Sequence, residues 1–434
     1  MKEALCMEIY ENTTIYIVSP AGEASGGPEL LHQLGSELLR RGLRAVIYYA
    51  NAVPGKNPRP DIYRKYHVPF TTQLDDEAQN ILILAETETS FFFHVHHIRK
   101  ILWWLSVDFY FHNLTTAFAA PPAHFFTHPL TKCLFLFSPE PHLEHWVQSE
   151  YARQFVLTNH VPEERVRFVG DYLQAAAHLG QMCVGGGQEK QRQNIVTFNP
   201  AKGFDFTKQL IGAAPDIIWG PISHMTPEDV HTLLSSAKCY IDFGNHPGQD
   251  RIPREAAAAG CCVITGKRGA AANDIDVPIP SAYKFDDTPE NIPAILACIR
   301  DCLAHYEAHT HDFDSYRTMI AGQRERFRKG VAAALPVRYD VRERQRIVVQ
   351  KGPHLKELLL ALLAKDTVEI VGVWFPENTD GALQIGDREL PILWTDEVPF
   401  LYLEDRIDAI LLDETDGKGA AQLTARGVPS SILC

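Results

Sequence analysis

The residues best able to do chemistry fall in three loops, each following an apolar strand signal, and the first two also precede a helical one. The first is Phe198-Asn-Pro-Ala-Lys202-Gly203. An ammonium on a flexible stem is a mobile point charge suited to phosphate; a solvated loop lysine is the competing reading. The second runs from Tyr240 through Asp242, His246-Pro247-Gly-Gln-Asp250-Arg251-Ile-Pro-Arg254-Glu255 to Gly260, and places an imidazole, two carboxylates and two guanidinium groups between positions 246 and 255. Pro253 is the expected helix start, which puts Glu255 in the first turn, where the helix dipole alone favours a carboxylate by about 0.3–1 kcal/mol. Asp250 can cap that helix, and Arg251 beside it can keep it ionised. The third loop, Gly266-Lys267-Arg268-Gly, adds two cations or is a solvated turn.

Nearer the N-terminus, Gly26-Gly27 precedes Pro28 and a leucine-rich helix, so an anion can approach free N–H groups at a helix start; a plain tight turn is equally served by two glycines. His94, His96 and His97 form a tight histidine cluster without carboxylate or cysteine companions at ligand spacing, so no metal is expected there. Trp103-Trp104 reads as core or as a platform for sugar stacking, with Asp108 close behind it.

These loops need a scaffold of alternating strands and helices. Strands are expected at Thr14–Val18, Leu43–Tyr49, Ile81–Ala85, Ile101–Leu105 and Leu134–Phe137, with helices between them. After Asp171-Tyr172 and the Gly185-Gly-Gly187 punctuation the alternation repeats: Ile195–Phe198, a helix over 206–213, Ile217–Trp219, a helix over 227–237, Cys239–Phe243, a helix over 253–259 and Cys261–Thr265. Residues 288–335 read as amphipathic helices. A smaller α/β stretch follows, with strands at 346–350, 368–374 and 409–412 and a helix at 354–364. The expected organisation is α/β: two Rossmann-like domains at 1–170 and 171–335 facing a cleft, plus a small α/β domain at 340–434.

Composition narrows the function classes. The chain has 434 residues, 45% hydrophobic and 22% charged, which fits two or three packed domains and excludes general disorder. A net charge of −13 argues against nucleic acid as a partner. No apolar run approaches the roughly 20 residues of a membrane span, and Met1–Tyr10 lacks the order of a signal peptide. A cytoplasmic protein is expected, free or peripheral to the inner face of the cell membrane. Candidate lipid contacts are Arg324, Arg326, Arg328, Lys329, Arg338, Arg342, Arg344 and Arg346; a solvated or inter-domain basic face is the competing reading. Nine cysteines without a CxxC pair read as buried free thiols.

Over about 320 of the 434 residues the chain resembles GT-B fold glycosyltransferases of the GT4-like class. The resemblance rests on the Gly26-Gly27 loop and its helix, on Lys202-Gly203, and on the strand–loop–helix–Gly–strand segment 240–266 with its Glu255-Ala-Ala-Ala-Ala-Gly260. It implies that Lys202 and Gly203 hold a donor diphosphate and that Glu255 accepts from a nucleotide ribose. Gly220 would lie near the base, and Gly26 and Gly27 on the acceptor side, with His94, His97 and Asp108 as further acceptor-side candidates. Arg251, Arg254, Lys267 or Arg268 would supply a second cation. Where the family carries a second glutamate this chain has Pro247, so Asp250 or His246 is the candidate for binding sugar hydroxyls. The implied activity is transfer, with retention, of a sugar from a nucleotide-diphosphate sugar to a saccharide or lipid-linked acceptor in surface polysaccharide synthesis, with no cofactor and no bound metal. A UDP-sugar epimerase or hydrolase on the same scaffold, or a non-catalytic sugar-nucleotide binding protein, remains the alternative. The stretch 340–434 resembles the half-Rossmann domain beside sugar acyltransferases; keeping only Gly352 of a phosphate loop, it is expected to be structural or to dock a protein partner.

Overall fold

The computed structural model describes residues 7–119, 135–137, 140, 143–173, 192–341, 343–365, 367–377, 379–386, 388–403, 406–413 and 417–434. The 185–187 punctuation, Leu134 and Arg342 lie outside the described residues. The chain divides into two compact units: Met1–Glu8 with Asp76–Pro336, and Ile9–Asp75 with Val337–Cys434.

The second of these units begins with β1 (Thr14–Val18), α1 (Gly26–Arg40), β2 (Arg44–Tyr48) and β3 (Phe70–Thr71), the strands parallel in the order β3-β2-β1. Helix α1 forms because Leu30, Leu31, Leu34 and Leu38 recur on one face and are buried there. It stops where Gly42 takes φ 75°, a left-handed conformation that glycine adopts without steric cost.

The first unit carries two sets of parallel strands. Strands β4 (Ile81–Ala85), β5 (Arg99–Trp104), β6 (Leu143–Val147) and β7 (Val166–Phe168) pair in that order, with α2 (Val107–Ala119) after β5 and α3 (Glu150–Thr158) after β6. The expected strand over 134–137 is replaced by β6. Phe137 takes a left-handed φ of 56°, incompatible with a strand, and stacks its ring 5.4 Å from that of Trp104. Trp103 and Trp104 are fully buried, which makes them core and rules out the sugar-stacking reading.

The next sheet comprises β8 (Gln193–Phe198), β9 (Ile218–Pro221), β10 (Ala237–Asp242), β11 (Cys262–Gly266) and β12 (Lys284–Phe285), all parallel, in the spatial order β9-β8-β10-β11-β12. Helices α4 (Phe204–Ala213), α5 (Pro227–Ser236) and α6 (Arg251–Ala258) connect the strands. Helices α7 (Ile292–Ala304), α8 (Tyr306–His309), α9 (Asp314–Ala321) and α10 (Gln323–Ala334) follow. Its core runs continuously through Val196, Leu210, Tyr240, Ala257, Val263 and Ile299. Cys239, Cys261, Cys262 and Cys302 are buried free thiols within that core.

The chain then returns to the second unit with β13 (Gln345–Gln350), α11 (Leu355–Leu363), β14 (Val368–Trp374), β15 (Ala382–Ile385), β16 (Arg388–Leu393), α12 (Glu397–Leu403), β17 (Ala409–Leu411) and α13 (Lys418–Thr424). The sheet order is β15-β16-β14-β13-β17, parallel apart from β15. The place a phosphate would take, between β13 and α11, is filled from within. Asp413 accepts the His354 backbone N–H at 2.7 Å, and a side chain at Gly352 would collide with the Asp413 carbonyl. Among the described residues no helix is long and apolar enough to cross a membrane. The basic stretch is partly neutralised: Lys329 pairs with Glu325 at 3.3 Å, and Arg346 with Asp408 at 3.0 Å.

Candidate active site

In the order β9-β8-β10-β11-β12 the connections leave β8 and β10 toward opposite sides. Ligands of such sheets bind outside the carboxyl ends of the strands at this switch point. Strand β8 ends at Phe198 and β10 at Asp242, so the loops meeting there are 199–203 and 243–250. They touch backbone to backbone. Gly203 has φ 60°, and a Cβ on it would collide with the Phe243 carbonyl and the Gly244 nitrogen; a Cβ on Gly244 would collide with Cβ of Lys202. Only glycine permits this approach.

The approach carries Lys202 across to Asp250, with Nζ 2.6 Å from Oδ2. Asp250 occupies the position just before α6, yet its carboxylate caps no backbone N–H. Burial pushes its carboxyl above the usual range, against the opposing pull of Lys202 and His246. His246 is 1% exposed and lies between two carboxylates, Nε2 3.6 Å from Asp242 Oδ1 and Nδ1 3.7 Å from Asp250 Oδ2. Asp242 is fixed in turn by the Tyr240 hydroxyl at 2.9 Å and the Gly244 N–H at 2.9 Å.

Helix α6 begins at Arg251, two residues before the expected Pro253, because proline is tolerated within a first turn. Glu255 therefore sits in the second turn, its Oε1 3.7 Å from Arg251 Nε, and the first turn holds no acid. Arg254 does something other than grip a ligand. It is fully buried and forms a bidentate pair with Asp171 at 2.8 and 2.7 Å. Its remaining donors reach Gln323 and the carbonyls of Asp250 and Gln249. All five N–H groups are used, so Arg254 positions the loop.

The loop 246–250 is also held by the ends of β5 and β6. Val107 N–H donates to the Pro247 carbonyl at 3.3 Å, and Gln249 N–H to Gln148 Oε1 at 3.2 Å. A side chain at Gly248 would strike Gln148 Oε1 and the Leu105 carbonyl. Asp108 is the half-buried neighbour of Val107 in the first turn of α2. His94 and His97 are exposed in the loop before β5, where the His96, His97 and Ile98 N–H groups bind the Asp76 carboxylate.

Lys267 is 3.4 Å from Asp286, and Arg268 is paired with Asp287, both on exposed loops after β11 and β12. Gly220 lies inside β9, opposite Thr197, rather than in the loop beyond it. Gly26 and Gly27 open α1 in the other unit, where Tyr63 exchanges hydrogen bonds with Ser25, its hydroxyl donating to the carbonyl and accepting from the N–H.

Sequence reasoning missed Asp171, Gln148, Asp276 and Glu86. The first two carry no local motif, since their partners are distant in sequence. Asp276 accepts the N–H groups of Glu150 and Tyr151 at 2.8 and 2.9 Å, closing the start of α3. Glu86, the residue after β4, is buried and accepts the Leu105 N–H at 2.8 Å; burial pushes its carboxyl up to about 7. An acid directly after the apolar run Ile81–Ala85 was its available signal.

The class defined by fold and site is a parallel α/β protein with a cluster of cationic and acidic side chains at a sheet switch point. No family model and no curated protein matches the chain. It is similar to solved structures that include a glycosyltransferase from Rickettsia africae ESF-5, at 12% identity over 75% of this chain and 98% of that one, with TM-score 0.47. Anabaena Alr3699/HepE in complex with UDP matches at 11% identity over 74% and 97%, with TM-score 0.45. Sucrose-phosphate synthase from Thermosynechococcus elongatus matches at 11% over 72% and 95%, with TM-score 0.47.

Proposed function

We propose that the chain is a glycosyltransferase that moves a sugar, with retention, from a nucleotide-diphosphate sugar to a saccharide or lipid-linked acceptor in surface polysaccharide synthesis. The observation that carries this reading is the Lys202–Asp250 contact at the switch point of a parallel sheet. A diphosphate entering there would draw the ammonium away from Asp250. Lys202 then offsets the charge that grows on the leaving diphosphate, and the released carboxylate accepts from sugar hydroxyls. Glu255, one helical turn beyond Arg251, would accept from the ribose. Peripheral contact with anionic lipid through the basic residues of 324–346, and a protein partner on 340–434, belong to the same proposal; salt-sensitive co-sedimentation with anionic vesicles tests the first.

A thermal-shift panel of nucleotide sugars tests the function, since a ligand bound only by the folded state raises the melting temperature. One nucleotide-diphosphate sugar should shift the wild-type protein and be consumed with release of the nucleotide diphosphate when acceptor is present. Binding without consumption under any acceptor would mark a binder, and free sugar or an epimer as sole product would mark a hydrolase or epimerase.

A further inference from the structure

The cluster beneath Lys202 holds more acid than one lysine neutralises. Asp242, His246 and Asp250 each offer one ligand atom, all lying within 4.8 Å of one another. The Asp242 carboxylate lies 3.6 Å from Nε2, and the Asp250 carboxylate lies 3.7 Å from the other ring nitrogen, Nδ1, so one ion can use only one of these two approaches. A tetrahedral shell with ligands about 2.1 Å from a metal sets neighbouring ligand atoms about 3.4 Å apart, so the imidazole and the Asp250 carboxylate must turn toward each other to close the group on one ion.

A second observation points the same way. His246 is 1% exposed, yet its Nε2 has no hydrogen-bond partner, an expensive state for a buried polar atom that faces a carboxylate. A cation between them would satisfy both. The outer partners needed to orient such ligands are present, since Tyr240 and Gly244 fix the Asp242 carboxylate. The sequence hid the arrangement because the three residues lie on a strand end and a loop, where their spacing has no helical meaning.

We propose that Asp242, His246 and Asp250 form a binding site for a divalent first-row cation of the Mn²⁺ to Zn²⁺ series, and that the Lys202 ammonium competes with that cation for the Asp250 carboxylate. Two carboxylates and one imidazole suit these ions. Lys202 is 37% exposed, so its side chain can swing outward and leave the fourth position to water or a ligand oxygen. The site stands or falls independently of glycosyl transfer, because metal alone is the probe.

The experiment titrates the full chain with Co²⁺ by visible absorbance and with Mn²⁺ by paramagnetic resonance. All variants carry His305→Gln, which dismantles the exposed Asp301, His305 and His309 group that could also take a metal. Lys202→Met should tighten binding at least tenfold by removing the competing charge. His246→Gln and Asp250→Asn should each weaken it at least tenfold, Asp250→Asn serving if the buried His246→Gln fails to fold. Absence of binding in both the parent and Lys202→Met overturns the proposal, as does binding that ignores Lys202→Met or Asp250→Asn.

Discussion

The Nζ of Lys202 and Oδ2 of Asp250 lie 2.6 Å apart although 48 residues separate them, joined where the loops after β8 and β10 meet. This pair decides between the two roles open to Asp250. A cap would turn its carboxylate onto the backbone of α6, whereas here it faces the Lys202 ammonium. Asparagine caps as well as aspartate but cannot ion-pair. Asp250→Asn should therefore lower turnover far more than His246→Ala and alter the preference among donors sharing one nucleotide. An Asp250→Asn enzyme with unchanged rate and preference would return the residue to a capping role.

Glu255→Gln should raise the donor KM and leave the melting temperature near that of wild type, because the side chain's close charged contact is Arg251 at 3.7 Å on the same helix. Steady-state kinetics together with thermal unfolding check this. A variant that unfolds while its folded fraction keeps normal kinetics would make Glu255 structural.

Arg254 and Asp171 form a buried bidentate pair, so removing one partner strands the other charge away from water. Arg254→Met should cost about 3–5 kcal/mol of stability, the range for breaking a buried pair, by denaturant unfolding. A loss below about 1 kcal/mol would mean that the pair does not hold the loop.

Glu86 makes the fold sensitive to pH. In the folded protein its carboxyl keeps a proton up to about pH 7, against an ordinary value of 4.5. The unfolded chain thus loses its proton first, and stability falls as pH rises from about 4.5 to about 7, by about 1.4 kcal/mol per unit of difference. Glu86→Gln removes this loss, so its stability relative to wild type should climb across that window. A difference that does not change with pH would contradict the burial of an ionisable group there.

Much of the scaffold was legible because apolar runs and helical periods are local. The strand expected at 261–265 is β11 at Cys262–Gly266, and the helix expected at 206–213 differs from α4 by two residues. The sequence misled where burial depends on distant partners. Strand β6 contains Glu144 and His145, polar enough to break an apolar pattern, yet both are buried, His145 accepting the Trp104 indole N–H at 2.9 Å. The cationic and acidic loops of the site were visible as motifs. Their division of labour was not. Arg254 looks like a ligand-binding cation until Asp171, 83 residues earlier, is seen to hold it.

Transfer from a nucleotide-diphosphate sugar by wild type and by Lys202→Ala, with a chelator present so that no cation replaces the lost ammonium, tests the central claim most directly. Removing one preorganised charge at a developing diphosphate should cut turnover about a hundredfold or more while the protein stays folded. A Lys202→Ala enzyme that transfers sugar at a near-normal rate would contradict the assignment of this loop junction to the donor diphosphate.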